Sequence, residues 1–256
     1  MRLLLHKTIL TAALVGAAAL PAAAGPLEEA VRGLDEGRLR FSYPTRGGVR
    51  GDGRSLHFHD VDERSWESDC QEGPARVELR VRDGRVVDVD LWVGGRWRAL
   101  RGPGRDLGEV PCSVAAEFLL DLAASGAGEP SEDAVVAACV ADSVEVWPRL
   151  LELARDRGLH QDLREQAVFW LGQAAGEKAA ADLGEVAEAD DEDLEIRRKA
   201  VFSLSQIEGR EAFERLRRIA TTHGHPRVRR EALFWLAQRD EAEAVDVFEE
   251  ILTASP

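Results

Sequence analysis

The chain has 256 residues, of which 45% are hydrophobic and 31% charged, and its 47 acidic residues against 33 lysines and arginines give a formal net charge of −14 at pH 7. This composition is typical of a folded soluble protein and differs from the charge-rich, apolar-poor composition of disordered chains. The negative charge repels phosphate backbones and anionic lipid headgroups, so general nucleic-acid or acidic-membrane binding is excluded as the main activity.

The first 24 residues have the pattern of a secretory signal peptide. Arg2 and Lys7 make its start positive, residues 9–20 carry no charge, and the small residues Ala22 and Ala24 precede a cleavage position. The uncharged run is shorter than the roughly 20 residues needed to span a bilayer. We therefore expect cleavage near Ala24, a periplasmic or secreted protein, and no membrane span after the signal is removed.

Residues 25–124 predict a small antiparallel β-rich domain with flanking helices. Strands are predicted where apolar and polar residues alternate. These strands cover residues 39–43, 55–59, 76–82 and 85–93. The dipeptide Asp83-Gly84 between the last two is the strongest hairpin signal in the chain. Val87, Val89, Leu91 and Val93 are expected to share the buried side of the last strand.

Helices are predicted on both sides of this sheet, from Pro26 to Gly37 and from Ser113 to Ala124. The second of them carries apolar side chains that can cover the sheet. The stretch 125–130 is rich in glycine and small residues and predicts a short linker. A second domain is therefore expected to begin at about residue 131.

His57 and His59 are the candidates for a metal site, because they share one face of a predicted strand and acidic residues follow them. Imidazole and carboxylate groups can hold a divalent ion. A solvated strand face with an acidic turn explains the same residues, so no metal or cofactor is expected. Trp92 and Trp97 could instead stack on a carbohydrate.

Three cysteines, Cys70, Cys112 and Cys139, would meet an oxidising compartment after export. One disulfide and one remaining thiol are then possible, and the sequence leaves the pairing open. Cys139 falls at a small-residue position, which favours a buried thiol. No histidine adjoins any of them in sequence to suggest a catalytic cysteine.

The C-terminal half contains an internal repeat, which is the strongest pattern in the chain. The motif R-x-x-A-[VL]-F-x-L-x-Q begins at Arg164, Arg197 and Arg229, 33 and 32 residues apart. Its other repeated residues are the alanines Ala167, Ala200 and Ala232 and the leucines Leu171, Leu204 and Leu236. A second apolar stripe follows each alanine at offsets of 12, 16 and 19, which indicates a second helix. A less regular copy of the repeat places Ala134 at the position of the repeated alanine.

Each unit is therefore predicted to be a pair of helices joined by a short turn. Gly176 and Gly209 lie in two of those turns and are expected to take the left-handed conformation that ends a helix. The aromatic residues of the motif, Phe169, Trp170, Phe234 and Trp235, are expected to pack between units.

The repeated residues resemble HEAT repeats in their short bacterial form, over residues 131–253. The resemblance implies a right-handed α-solenoid of about four helix pairs, with the second helices lining a concave face. It also implies that the alanines lie at close helix crossings and that Arg164, Arg197 and Arg229 pair with acidic groups between units. Such proteins bind other proteins and are not enzymes.

Arg215, Arg217, Arg218 and Arg230 form a basic cluster in an acidic protein and are the candidate binding residues. Arginine forks can hold the carboxylates of an acidic partner. Salt bridges to Glu211, Glu214 and neighbouring helices would explain the same residues without a partner.

We predict an α+β, exported, non-enzymatic interaction or scaffold protein with a protein partner that the sequence does not identify. One alternative is a metal-dependent or hydrolytic enzyme with its site near His57 and His59. The other is a cell-wall or carbohydrate binding module that uses Trp92 and Trp97.

Overall fold

The structure is a computed structural model that describes residues 25–52, 56–57, 70–94, 99–100, 102–126, 128–239, 245, 247–249 and 253. Within these ranges a four-stranded sheet combines with about nine α-helices, which confirms the α+β prediction. The predicted signal peptide, residues 1–24, lies outside the described residues. No helix in the described part of the chain is both long and apolar enough to cross a membrane.

The N-terminal half contains two helices and seven strands within the described residues. In chain order they are α1 (Pro26–Arg32), β1 (Glu36–Tyr43), β2 (Arg50–Gly51), β3 (Leu56–His57), β4 (Gln71–Glu72), β5 (Ala75–Arg82), β6 (Arg85–Val93), β7 (Gly104–Glu109) and α2 (Cys112–Ala124). The main sheet has the order β6-β5-β1-β7, and its pairs are antiparallel except for β1 with β7. The short strands β3, β2 and β4 form a second small sheet.

The predicted hairpin between β5 and β6 is confirmed, with Asp83 and Gly84 at φ values of 52° and 66° in its turn. Positive φ at both central residues belongs to the turn type that matches strand twist. Arg80 pairs with Asp88, but Val81 pairs with Val86, which leaves Val87 as the extra residue of a bulge. Val87 is 38% exposed. Its predicted place on the buried side is wrong because the bulge interrupts the alternation of side chains.

Seven α-helices follow within the described residues. They are α3 (Glu129–Cys139), α4 (Trp147–Arg155), α5 (Gln161–Ala175), α6 (Ala180–Glu188), α7 (Leu194–Ser205), α8 (Arg210–Thr222) and α9 (Pro226–Ala237), with the short 3-10 turn Gly176–Ala179 before α6. Helices α3, α5, α7 and α9 contact one another in that order, and α6 contacts α8. The repeated alanines and leucines of the motif are fully buried in α5, α7 and α9. The sequence period therefore predicts the buried stripe of each of these helices.

Small residues allow α5 and α7 to approach closely. A methyl group placed on Gly172 would stand 3.1 Å from the Cβ of Ser203 on the neighbouring helix. The two turn glycines depart from their predicted conformation. Gly176 and Gly209 do take positive φ, 52° and 126°, but their ψ values of −132° and 160° lie outside the left-handed helical region. Gly176 does end α5, and its N–H donates to the Gly172 carbonyl. Gly209 instead lies at the start of α8, three residues beyond the residue that ends α7.

The sheet and the first helices of the C-terminal half share one hydrophobic core. The Tyr43 hydroxyl at the end of β1 donates a hydrogen bond of 2.6 Å to the Ala137 carbonyl of α3. Burial raises the pKa of this phenol well above its ordinary value. The rings of Phe41 and Phe118 meet edge to face at 6.3 Å, which places α2 over β1. The boundary predicted near residues 125–130 is thus crossed by continuous packing.

Candidate functional site

The predicted basic cluster lies on α8 and at the start of α9. The apolar side of α8 packs inward through Phe213, Leu216 and Ile219. Its polar side carries Arg215, Arg217 and Arg218, while the exposed Arg230 lies on α9.

Two of the four candidate arginines are held by neighbouring groups of the same chain. The Nε and Nη2 atoms of Arg218 each donate 2.8 Å hydrogen bonds to the Glu188 carboxylate of α6. Arg215 lies across Gly184, where an added methyl group would stand 2.8 Å from its Cδ, and reaches Glu211 at 3.4 Å. These contacts fasten α8 to α6 and reduce the charge available to a partner.

The other two candidates have exposed side chains. Arg217 is 43% exposed, and its Nη1 forms an ion pair of 3.7 Å with the Glu214 carboxylate of the same helix. Arg230 makes no ion pair with any residue in the described ranges. The structure therefore assigns Arg215 and Arg218 to contacts between α8 and α6. Arg217 and Arg230, whose side chains are exposed, are called the accessible pair.

The aromatic residues of the repeat form a row across α5, α7 and α9. Phe169 stacks on Phe202 with ring centroids 6.2 Å apart, and Phe202 meets Trp235 at 4.9 Å. Trp170 and Phe234 add edge contacts to their chain neighbours. Ring packing therefore joins successive helices through Phe169, Phe202 and Trp235, as predicted for Phe169 and Trp235. The predicted packing of Phe234 between units is wrong, because its side chain is 53% exposed and its ring contacts its chain neighbour Trp235.

The candidate metal residues lie largely outside the described residues: His59 is not described, and of His57 only the backbone is. Trp97, one of the two tryptophans considered for stacking on a carbohydrate, also lies outside the described residues. In the ranges that the structure covers, no group of three or more His, Cys, Asp and Glu side chains could hold a metal ion.

The three cysteines are all described, and no disulfide joins them. Cys139 is buried, as its small-residue position predicts, and burial raises the pKa of its thiol to about 12, although Arg46 opposes the shift. Cys112 is half-buried, and its thiol donates a 3.4 Å hydrogen bond to the Pro44 carbonyl.

We expect Cys139 to resist alkylation in the native protein at pH 8. Its pKa lies about three units above the ordinary thiol value, which leaves about a thousandfold less thiolate, the reactive form. Peptide mass spectrometry after iodoacetamide treatment, with and without denaturant, measures this protection. Labelling of native Cys139 as fast as that of Cys112 would contradict the prediction.

The repeated arginines have three different environments. Arg164 on α5 donates its Nε to the Ala154 carbonyl at 2.9 Å and its Nη2 to the Glu192 carboxylate at 2.6 Å. Arg229 on α9 donates to the carbonyls of His223 and Gly224 at 2.6 and 3.2 Å. The pairing with an acid that the resemblance implies is therefore present for Arg164 and absent for Arg229 among the described residues.

Arg197 on α7 is the third of these arginines, and the repeat motif does not distinguish it from the other two. It is 8% exposed, and its buried Nε has no hydrogen-bond partner in the described part of the chain. The residue that corresponds to Glu192 one repeat later is Gly224, 32 positions on. This replacement of an acid by a glycine is visible when the repeats are aligned, and it predicts that Arg197 lacks the acidic partner of Arg164.

No protein-family model matches the chain, and no curated protein matches it.

Proposed function

We propose that the protein is an exported, non-enzymatic scaffold that binds another protein through a solenoid of about four HEAT-like helix pairs in residues 131–253. The observation that carries the proposal is the order of helix contacts, in which α3, α5, α7 and α9 follow one another and α6 is followed by α8. In a repeat protein each unit contacts mainly its neighbours, which leaves long open faces for binding.

The surface proposed for the partner is the accessible part of the basic cluster. Arg217 and Arg230 carry positive charge on a chain whose net charge is −14. An acidic partner would be attracted to this local patch and repelled elsewhere, which favours one orientation of binding. The partner proposed is therefore a protein with an acidic segment.

Affinity capture from an envelope extract tests both parts of this proposal. The wild-type protein is compared with the double variant R217E/R230E and with the charge-matched control R82E/R85E, which reverses two exposed arginines next to the β5–β6 turn. We expect the wild type and the control to retain the same partner, identified by mass spectrometry, and R217E/R230E to lose it. Loss from both variants would assign the binding to overall charge and contradict the surface. No partner on a folded wild-type protein would contradict the scaffold.

A further inference from the structure

The loop between α6 and α7 shows how the chain satisfies its first repeated arginine. The Glu192 carboxylate accepts from Arg164 Nη2 through one oxygen and from the Asp193 backbone N–H through the other, at 2.6 and 2.7 Å. Asp193 in turn caps α7 by accepting from the Glu195 N–H at 2.8 Å. One internal carboxylate thus lies between a buried guanidinium and the start of a helix, where negative charge is favoured.

The corresponding loop between α8 and α9 keeps this arrangement except for the carboxylate. His225 takes the place of Asp193 and caps α9 by accepting from the Arg227 N–H at 3.2 Å. The backbone N–H of His225 donates to Nδ1 of His223 at 3.0 Å, so an imidazole nitrogen replaces one oxygen of Glu192. No described side chain replaces the oxygen that would face Arg197.

His223 also forms a hydrogen bond with the carbonyl group that corresponds to the acceptor of Arg164. Its Nδ1 accepts from a backbone N–H, so its ring hydrogen is on Nε2, which donates to the Ala187 carbonyl at 3.1 Å. Ala187 corresponds to Ala154, the acceptor of Arg164 one repeat earlier. Arg197 therefore lacks both partners of Arg164, although it is as deeply buried.

Three arginines lie near the imidazole of His225 at the start of α9. The guanidinium of Arg197 lies close enough to His225 to help lower the pKa of its imidazole, after desolvation, with Arg227 and Arg229 acting in the same direction. The first turn of α9, a 12-residue helix, adds the partial positive charge of its N-terminus. A buried cation without a counter-ion is costly, and an anion from outside the chain would relieve that cost.

We propose that the loop between α8 and α9 is a binding site for a carboxylate from an acidic segment of a partner protein, which Arg197 receives in the place where Glu192 serves Arg164. The identity of the carboxylate's source rests on the proposed scaffold function, whereas the site itself does not. The residues that form it are Arg197, His223, His225 and Arg229.

Gly224 offers a direct way to fill the site from within. A Cβ added at Gly224 would meet no atom within 4 Å, and its φ does not lie in the left-handed region. The variant Gly224→Glu can therefore carry a carboxylate at the position of Glu192 without backbone strain.

The test uses the purified whole protein and records the Nε–Hε resonance of Arg197 by NMR while sodium acetate replaces sodium chloride at constant ionic strength. We expect a saturable shift in the wild type. G224E should begin near the saturated position, show no response and melt at a higher temperature. In Arg197→Gln, the acetate concentration that gives half of the rise in melting temperature should increase by about tenfold or more, because charged hydrogen bonds are lost.

Two further arms identify the source of the anion. Inorganic phosphate replaces acetate in one, and saturation by phosphate but not acetate would overturn the carboxylate assignment. In the other, the blocked peptide Ac-Gly-Glu-Gly-NH2 is compared with its Gln counterpart, and binding of the Glu peptide more tightly than acetate supports a protein source. Equal binding of acetate and peptide would overturn that source. No response of wild-type Arg197 to any anion would overturn the site, even if the capture experiment succeeds.

Discussion

Replacing Glu192 by alanine is expected to lower the free energy of unfolding by about 3–5 kcal/mol, the usual cost of removing one member of a buried ion pair. The side chains of Arg164 and Glu192 are only 7% and 9% exposed, and their atoms lie 2.6 Å apart. Without the carboxylate, the guanidinium of Arg164 would remain buried without a counter-ion, with the Ala154 carbonyl as its remaining partner. Urea denaturation followed by circular dichroism at 222 nm measures the change.

Two comparisons show whether burial causes this loss. Asp121→Ala removes one partner of the exposed Arg149–Asp121 pair, whose atoms are 2.7 Å apart, and should cost less than about 1 kcal/mol. The double variant R164M/E192L removes both buried charges and should recover most of the loss, because apolar side chains need no counter-ion. Equal losses for E192A and D121A would contradict the assigned role of burial.

The E192A variant also links this ion pair to the proposed site at Arg197. It would leave Arg164 as a buried guanidinium without a counter-ion next to the N-terminus of α7, as Arg197 is next to α9, although Arg164 would keep its hydrogen bond to the Ala154 carbonyl. Acetate should then restore part of the stability lost by E192A. The loop before α7 supplies its own carboxylate to a buried arginine. In our proposal, the corresponding loop before α9 receives that carboxylate from a partner.

The repeat was predictable because its signal comes from several copies. The same apolar residues recur at fixed offsets in α5, α7 and α9, and each copy reduces the chance that the others are accidental. The hairpin was predictable for a different reason, since Asp83 and Gly84 supply the positive φ values that a tight turn requires. Both signals are local in sequence.

The departures from prediction depend on pairing between distant segments. Strand β7 is mostly polar, with no apolar alternation, and exists because its backbone pairs with the edge of β1. Helix α1 ends at Arg32 rather than Gly37 because Glu36 already pairs with Arg82 in the sheet. The bulge at Val87 likewise appears only in the register with β5. Local patterns carry no information on these partners.

The sequence predicted which arginines form the basic cluster, but it did not predict their ion-pair partners. The sequence identifies arginines on α8, yet only the packing of helices decides that Arg218 meets Glu188, 30 residues away, while Arg217 pairs with Glu214 on its own helix. The absence of an acid beside Arg197 needed a comparison between repeats rather than within one. Long-range ion pairs therefore determine which charges of this surface can serve a partner.

Replacing Ala200 by aspartate is expected to cost at least about 3 kcal/mol and to remove cooperative thermal unfolding, because a carboxylate would be buried without a partner. Ala200 is fully buried on α7, the helix that contacts both α5 and α9. The close approach of Gly172 to Ser203 shows that α5 and α7 have little room between them. Circular dichroism during heating measures the loss.

Two control variants separate the effect of burial from the effect of charge. Ala237→Asp places the same side chain at the exposed end of α9, where only the helix dipole opposes it, and should cost about 1 kcal/mol or less. Ala200→Asn has the size of aspartate without its charge and should fall between the two, because crowding remains while the buried charge is gone. A melting curve of A200D equal to that of A237D would place Ala200 at the surface. If A200N lost as much as A200D, steric crowding at the crossing of α7 with its neighbours would account for the whole effect.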